Sequence, residues 1–230
     1  MSIKKFLSEI FIFSALDEKE LDYVENVVSI LHFPAKTYIL VEEDKTDSVF
    51  IIKEGTVEVT LTNEAGKELI LAFLEEGEVF GELAAFDGNP RSANVKAHND
   101  CKVLCISKID FIDLIRKHSK IAIALLEELS TRIRHLDQQI MSLSLFDSKH
   151  RIANSIYQIV ERKGVIKDGE VTVARFPTQQ AIASMTGNSR ETVTRIIKSF
   201  KDQGFLYTKG RKMVIPDFES FKRLTLDNSG

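Results

Sequence analysis

Residues 178–197 constrain the fold more than any other stretch of the chain, because their pattern fits two short helices joined by a tight turn. Thr178 is a suitable N-cap for the first helix, and Ser189 is one for the second. Gly187, between them, supplies the positive φ that such a turn requires. This segment therefore predicts a helix-turn-helix. The apolar residues expected on its inner side are Ile182, Met185, Val193, Ile196, Ile197 and Phe200.

The outer face of the second helix carries side chains that can distinguish DNA bases. The guanidinium groups of Arg190 and Arg195 match the O6 and N7 acceptors of guanine, and the carboxylate of Glu191 can accept from the N4 amino group of cytosine. Glu191 and Arg195 are four residues apart, so an ordinary surface salt bridge is the alternative interpretation. Other polar and basic residues are placed to contact phosphates, including two on a predicted basic wing around Gly210. They are Thr178, Gln180, Ser189, Thr192, Lys198, Lys209 and Arg211.

The charge of the chain is divided unevenly along its length. Residues 1–147 carry 16 Lys and Arg against 26 Asp and Glu, whereas residues 148–230 carry 15 against 8. A basic C-terminal part favours a polyanionic partner, and an acidic N-terminal part limits nonspecific binding. The charge pattern therefore also indicates double-stranded DNA as a partner.

Other features exclude several classes of protein. No signal peptide is recognisable and no apolar run approaches about 18 residues, so we expect a cytoplasmic protein with no membrane partner. Cys101 and Cys105 lie in a predicted strand, where small packed side chains are the simplest interpretation, and the five histidines are scattered. No metal-ligand set or nucleophile–base pair is apparent. We therefore expect no metal, no required cofactor and no catalytic residue.

The N-terminal half begins with a helix and continues as short strands. Asp17 is a plausible cap for a helix whose apolar positions continue towards Pro34, which would end it. After Tyr38 the apolar period changes to two, with a hairpin loop at 63–66 and a buried strand at 69–74. Many short strands separated by glycine turns predict a sandwich, roll or barrel.

One long helix is predicted from about Lys108 to Leu145, with a break near His118. Its apolar residues recur at alternating steps of four and three, which is the a/d pattern of a coiled coil. So narrow a stripe is best buried against a second helix of the same kind, which predicts a parallel homodimer, and packing against the strands of the same chain is the alternative. Asp147 can cap the next helix, so we place a hinge at Phe146–Asp147. The predicted dimer seam comprises Leu126, Leu129, Ile133, Leu136, Ile140 and Leu143.

Residues 80–93 have the features of a loop that binds an anionic ligand. Gly81 permits close approach of the backbone to a ligand, and the short helix that follows offers free N–H groups. Arg91 can donate two hydrogen bonds to a phosphate and Ser92 can add a hydroxyl, whereas Glu82 is suited to accept from a ribose hydroxyl. A buried Glu–Arg pair that binds no ligand is the alternative.

Several of these motifs resemble those of the Crp/Fnr family of bacterial transcription regulators, which contains the cyclic AMP receptor protein. The similarity covers nearly the whole chain, including the recognition helix at 188–195 and the segment after the hinge at 151–153. It implies an allosteric cyclic-nucleotide effector, a TGTGA-type palindrome read by Arg190, Glu191 and Arg195, and RNA polymerase as a further partner. The effector-binding residues that match the family's phosphate-binding cassette are Gly81, Glu82, Leu83, Arg91, Ser92 and Ala93.

This sequence departs from the family's pattern at three positions. Leu136 and Asp137 stand where the family has two hydroxyl residues that meet adenine. Asp137 suits the N–H donors of guanine at least as well as the amino group of adenine, and pairing with Arg132 of a second chain is another option. The implied effector is therefore cyclic AMP or cyclic GMP. Lys36 stands where relatives usually have glycine at the entry to a strand, so the sequence does not decide the conformation of this turn.

These observations together predict an α+β protein with three parts. They are an effector-sensing, cyclic-nucleotide-binding β-roll (a double-stranded jelly-roll) at 1–107, a dimerisation helix and hinge at 108–146, and a winged helix-turn-helix at 147–230. The predicted function is that of an effector-dependent, homodimeric, sequence-specific DNA-binding regulator. One alternative is a regulator of the same fold with a different effector or none. A less favoured alternative is a cyclic-nucleotide-binding regulatory subunit of an enzyme.

Overall fold

The computed structural model describes residues 2–66, 68–167 and 169–226, except for the side chains of Ser142, Leu143 and Leu226. The chain forms two compact units, with the division between Arg134 and His135. The predicted division into three parts, with boundaries at residues 107 and 146, stays a prediction.

The N-terminal unit begins with helix α1 (Ile3–Glu9), a short 3-10 turn and helix α2 (Glu18–Val27). Asp17 caps α2 as predicted, since its carboxylate accepts from the N–H of Glu20 at 2.9 Å while the Glu20 carboxylate accepts from the N–H of Asp17 at 2.7 Å. These reciprocal hydrogen bonds form a capping box.

The prediction that this helix continues to Pro34 was wrong. Helix α2 ends at Val27, and strand β1 (Val28–Phe33) follows directly and pairs with the strand at 101–106 along its whole length. The apolar residues here fit a helical spacing but are largely β-branched or aromatic, and pairing with a neighbouring strand satisfies the backbone of β1. Pro34 therefore follows a strand instead of a helix.

Besides β1, the strands of the N-terminal unit are β2 (Tyr38–Leu40), β3 (Val49–Glu54), β4 (Val57–Thr62), β5 (Glu68–Leu74), β6 (Val79–Phe80), β7 (Asn94–Ala97) and β8 (Cys101–Ile106). They form two antiparallel four-stranded sheets, in the orders β1-β8-β3-β6 and β2-β7-β4-β5. The predicted hairpin loop joins β4 to β5, where the N–H of Gly66 donates to the carbonyl of Asn63 at 2.8 Å. Strand β5 was expected to be buried throughout, but only Ile70 and Leu74 are buried.

Two groups of buried apolar side chains form the core of this unit. One group fills the β-roll and includes Phe50, Ile52 and Val103, and the other joins the sheet to the helices through Phe13, Phe111 and Leu114. The helices that follow the first strands are α3 (Glu82–Asp87), α4 (Lys108–Lys117) and α5 (Ser119–Leu145). The predicted break lies at His118, between α4 and α5.

The C-terminal unit contains the end of α5 and a separate apolar core that includes Ile156, Val193 and Phe200. Its remaining elements are α6 (Ser148–Lys163), β9 (Val165–Lys167), β10 (Glu170–Val173), α7 (Gln179–Thr186), α8 (Arg190–Asp202), β11 (Tyr207–Lys209), β12 (Lys212–Ile215) and α9 (Phe218–Leu226). The strands form an antiparallel sheet in the order β11-β12-β10-β9. Within the described ranges, no helix is both long and apolar enough to cross a membrane.

Lys36 adopts the left-handed backbone conformation that glycine favours, with a φ of 72°. Its N–H donates to the carbonyl of Ala97 at 2.7 Å, which holds the turn before β2. The turn therefore forms without the glycine, at the steric cost that a Cβ atom brings to this region.

Candidate DNA interface and effector site

The helix-turn-helix consists of α7, the turn 187–189 and α8. Thr178 caps α7 by accepting from the N–H of Ala181 at 3.1 Å, and Ser189 caps α8 by accepting from the N–H of Thr192 at 3.2 Å. Gly187 has a φ of 65°, as the turn requires. Sequence reasoning located these three residues correctly.

Helix α8 is strongly divided between an apolar and a polar face. Val193, Ile197 and Phe200 are buried in the C-terminal core, and a hydroxyl bond from Thr194 to the Gln179 amide oxygen at 2.7 Å joins α8 to α7. The helix is therefore fixed by its inner face, which leaves the outer face available for a partner.

The three predicted base-reading residues, Arg190, Glu191 and Arg195, are exposed on the outer face of α8. The backbone N–H of Glu191 and the Ser189 hydroxyl lower the pKa of the Glu191 carboxyl below its ordinary value, and the charge of Arg190 adds to this. Glu191 is therefore ionised at neutral pH, and an ionised carboxylate is a pure hydrogen-bond acceptor.

The predicted phosphate-contacting residues are exposed, except for Thr192, which is half-buried. Lys209 lies at the end of β11 and Arg211 just before β12, so the predicted wing is the hairpin of these two strands. The carbonyl of Arg211 accepts from the N–H of Phe176 at 2.8 Å, which joins the wing to the segment before α7. The exposed residues are Thr178, Gln180, Ser189, Lys198, Lys209 and Arg211.

The candidate effector loop in the N-terminal unit begins at the turn before α3. Gly81 has a φ of 79°, and a Cβ atom at this position would lie 2.8 Å from a nitrogen of Arg91 and 3.1 Å from the Ser48 carbonyl. Both the backbone conformation and the close neighbours require glycine. Ser92 and Leu83 are exposed nearby in sequence, whereas Ala93 is buried.

Arg91 is 2% exposed and its guanidinium is held by oxygen atoms of its own chain. It donates to the carbonyl of Gly81 at 2.7 Å, to the carbonyl of Ser48 at 2.8 Å and to the hydroxyl of Thr46 at 3.0 Å. A guanidinium has five N–H groups, so two are left for a ligand. Arg91 is thus a structural residue of the loop as well as the predicted phosphate donor.

Glu82 is 3% exposed, and burial raises the pKa of its carboxyl while the charges of Arg132 and Arg91 oppose that rise. The Arg132 guanidinium donates to the Glu82 carboxylate at 3.4 Å, to the Val79 carbonyl and to the Glu128 carboxylate. Burial likewise raises the pKa of Glu128. Sequence reasoning placed Arg132 only as a possible partner of Asp137, because no local pattern links it to Glu82, which lies 50 residues away in sequence.

Leu136 and Asp137, the predicted contacts for the base of the effector, are exposed and belong to the C-terminal unit. Their contribution to an effector site stays a prediction.

Four residues of the predicted dimer seam, Leu126, Ile133, Leu136 and Ile140, are exposed on α5. Leu126, Ile133 and Ile140 are 62%, 58% and 63% exposed. Leu129 is half-buried and packs against the N-terminal core, and the side chain of Leu143 lies outside the described residues. Large apolar side chains that are exposed together on a protein surface often mark a site of contact with a partner.

The fold defines a class of protein, the DNA-binding transcription regulators that carry an effector domain. Its parts are a β-roll with a candidate ligand-binding loop, a long helix with an apolar stripe and a winged helix-turn-helix. Residues 30–118 match the model of the cyclic nucleotide-binding domain, and residues 150–224 match that of the Crp-like helix-turn-helix domain. The chain is 35% identical over 185 residues to the cAMP-activated global transcriptional regulator CRP of Haemophilus influenzae. The aligned residues cover 80% of this chain and 82% of that protein. The chain belongs to the Crp/Fnr family.

Solved structures show the same fold. A CooA mutant from Carboxydothermus hydrogenoformans superposes with a TM-score of 0.78 at 22% identity and covers 87% of this chain and 88% of its own. The c-di-GMP responsive global regulator CLP of Xanthomonas campestris superposes with a TM-score of 0.76 at 19% identity and covers 86% and 99%. The predicted family and fold are therefore confirmed.

Proposed function

We propose that the chain is an effector-dependent transcription regulator that binds a TGTGA-like palindrome through α8. The observation that carries this proposal is the placement of Arg190, Glu191 and Arg195 on the exposed face of a helix whose opposite face is buried in its own core. Two guanidinium donors and an ionised carboxylate acceptor are the groups that read G·C pairs in the major groove. The surrounding hydroxyl and basic residues supply phosphate contacts.

The proposed active form is a parallel homodimer joined along the exposed stripe of α5. A palindrome requires two copies of the reading helix related by a two-fold axis, with half-site centres about 34 Å apart. Leu126, Ile133 and Ile140 provide the apolar surface that a second copy would cover. We expect the regulator to act in the cytoplasm, with RNA polymerase as its further partner and with no catalytic activity.

The proposed effector is a cyclic nucleotide, cyclic AMP or cyclic GMP, that binds in the β-roll. Two free N–H groups of Arg91 and the hydroxyl of Ser92 would hold its phosphate, and Glu82 would accept from its ribose hydroxyl. The match of residues 30–118 to the cyclic nucleotide-binding domain supports this proposal, as does the name of the Haemophilus relative, a cAMP-activated regulator. The effector must bind the DNA-competent dimer more tightly than the other state, since otherwise it shifts nothing.

Calorimetric titration of the purified protein with cyclic AMP and with cyclic GMP tests the effector. We expect saturable binding of at least one of them and its loss in Ser92→Ala, whose exposed side chain leaves the packing of Arg91 intact. Asp137→Asn is expected to change the ratio of the two affinities if Asp137 meets the base. Asp202→Asn, at the exposed last residue of α8, is the matched control and should change neither affinity.

A second candidate is a regulator of the same family that responds to a different effector or to none. The hydrogen bonds that Arg91 makes to carbonyls of its own chain favour this candidate, because they explain the buried arginine without a ligand. The Xanthomonas structural neighbour is described as c-di-GMP responsive. Flat titrations with both cyclic mononucleotides, together with preserved binding to the palindrome, would support this candidate over the first.

A further inference from the structure

The predicted hinge at Phe146–Asp147 and the turn of the helix-turn-helix both contact one side chain, that of Arg151 in the first turn of α6. Its guanidinium donates to the carbonyl of Phe146 at 2.7 Å, which lies just after α5. It also donates to the carbonyl of Thr186 at 3.1 Å and to the amide oxygen of Asn188 at 3.2 Å, on either side of Gly187. All of these residues belong to the C-terminal unit.

The acceptors on the helix-turn-helix side are themselves fixed. Asn188 and Thr186 are buried, and the Asn188 amide donates to the carbonyl and to the hydroxyl of Thr186 at 3.1 Å and 3.0 Å. The Thr186 hydroxyl donates to the Ile182 carbonyl at 2.7 Å. Asn188 directly precedes Ser189, the cap of α8. A shift of this turn therefore moves the start of the recognition helix.

We propose that Arg151 is a positioning residue that couples the hinge to the recognition helix. The inference rests on the proposed function, because it concerns how the effector's signal reaches α8. A guanidinium is planar and holds its donors in a fixed arrangement, so the Phe146 carbonyl, the Thr186 carbonyl and the Asn188 amide stay in one frame. When the hinge moves, either the bond to Phe146 breaks or the turn before α8 moves with it.

A lysine cannot replace this arrangement. Its ammonium is a compact charge with rotatable donors and cannot hold three acceptors in one plane. Arg151→Lys therefore keeps the charge of the C-terminal unit but loosens the link, and Arg151→Met removes it. Arg162→Met is the matched control, because Arg162 is an exposed arginine in the last turn of the same helix.

The test is the ratio of DNA affinities with and without the effector, measured by fluorescence anisotropy on the full-length protein with cyclic AMP, and with cyclic GMP. We expect this affinity ratio to be at least about fivefold smaller in Arg151→Lys and Arg151→Met than in the wild type, and therefore closer to one. In Arg162→Met we expect the ratio to equal that of the wild type. A merely structural role would weaken binding equally in both states and leave the ratio as it is. Amide hydrogen exchange at 186–190 on the same samples is expected to rise in both Arg151 variants.

The outcomes separate this inference from the proposed function. An unchanged ratio in Arg151→Lys, with the wild type responsive, overturns the role of Arg151 and leaves the proposed function standing. If the wild type itself shows a ratio of one with both nucleotides, the effector proposal fails first. The hydrogen-exchange comparison then tests only the contact between Arg151 and the turn, and unchanged exchange at 186–190 in Arg151→Met overturns the proposal.

Discussion

Replacing Arg91 by methionine tests whether this residue has a structural as well as a ligand-binding role. The change keeps a long apolar side chain but removes the donors to Gly81, Ser48 and Thr46. A carbonyl left without a donor costs about 1–3 kcal/mol when buried. Thr46 is exposed and its hydroxyl can turn to water, so two carbonyls count. Both belong to half-buried residues, so water recovers part of the loss, and we expect the free energy of unfolding to fall by about 2–4 kcal/mol.

Urea unfolding followed by circular dichroism measures this loss, and calorimetry with the cyclic nucleotides measures effector binding on the same preparations. Ser92→Ala is the control, because its side chain is exposed and its effect on stability should stay within about 0.5 kcal/mol. Arg91→Met should lose both stability and effector binding, whereas Ser92→Ala should lose binding alone. An Arg91→Met protein as stable as the wild type would refute the structural role.

Three further changes test local features. Asp147→Ala removes the cap that accepts from the N–H of His150 at 2.8 Å and should lower the free energy of unfolding by about 0.5–2 kcal/mol. Asp147→Asn keeps a side-chain acceptor and should retain most of that free energy. Equal urea midpoints for the two variants would contradict the role of Asp147 as a cap. Lys36→Gly removes the Cβ atom that is strained at a φ of 72° and should raise Tm by about 1–4 °C in a thermal melt. This range already allows for the entropy that glycine adds to the unfolded chain. A lower Tm would show that the turn is unstrained. Burial raises the pKa of the Glu82 carboxyl, so ionisation of this group destabilises the folded state. This cost is absent below the ordinary pKa, grows as pH rises above it and levels off above the folded pKa. Glu82→Gln should therefore gain stability relative to the wild type as pH rises above the ordinary value of 4.5, and a difference that stays constant in urea titrations from acid to neutral pH would contradict this.

The helix-turn-helix was predictable from sequence because its signals are local. Thr178, Gly187 and Ser189 each act within a few residues, through caps and a positive φ, and the structure has them where the pattern predicted. The same holds for the caps at Asp17 and Asp147. Hydrogen bonds between a cap side chain and the nearby backbone fix where such short helices begin, and these contacts can be recognised in the sequence alone.

The parts that sequence missed depend on contacts between distant residues. Val28–Phe33 has apolar residues at helical spacing, and only pairing with the strand at 101–106 decides that it is a strand. The role of Arg132 depends on Glu82, which is 50 residues away in sequence. No spacing rule links such residues, so tertiary context has to supply them.

The base-reading role of α8 is tested most directly by DNA discrimination in a Glu191→Ala variant. Fluorescence anisotropy would compare a TGTGA palindrome with versions in which each G·C pair of the half-site is replaced in turn, with Glu219→Ala, an exposed glutamate of α9, as the control. Glu191→Ala is expected to lose about 5–150-fold of the wild-type preference per half-site at one of these pairs, with little change elsewhere. A Glu191→Ala protein that discriminates among the sites as the wild type does would contradict the account.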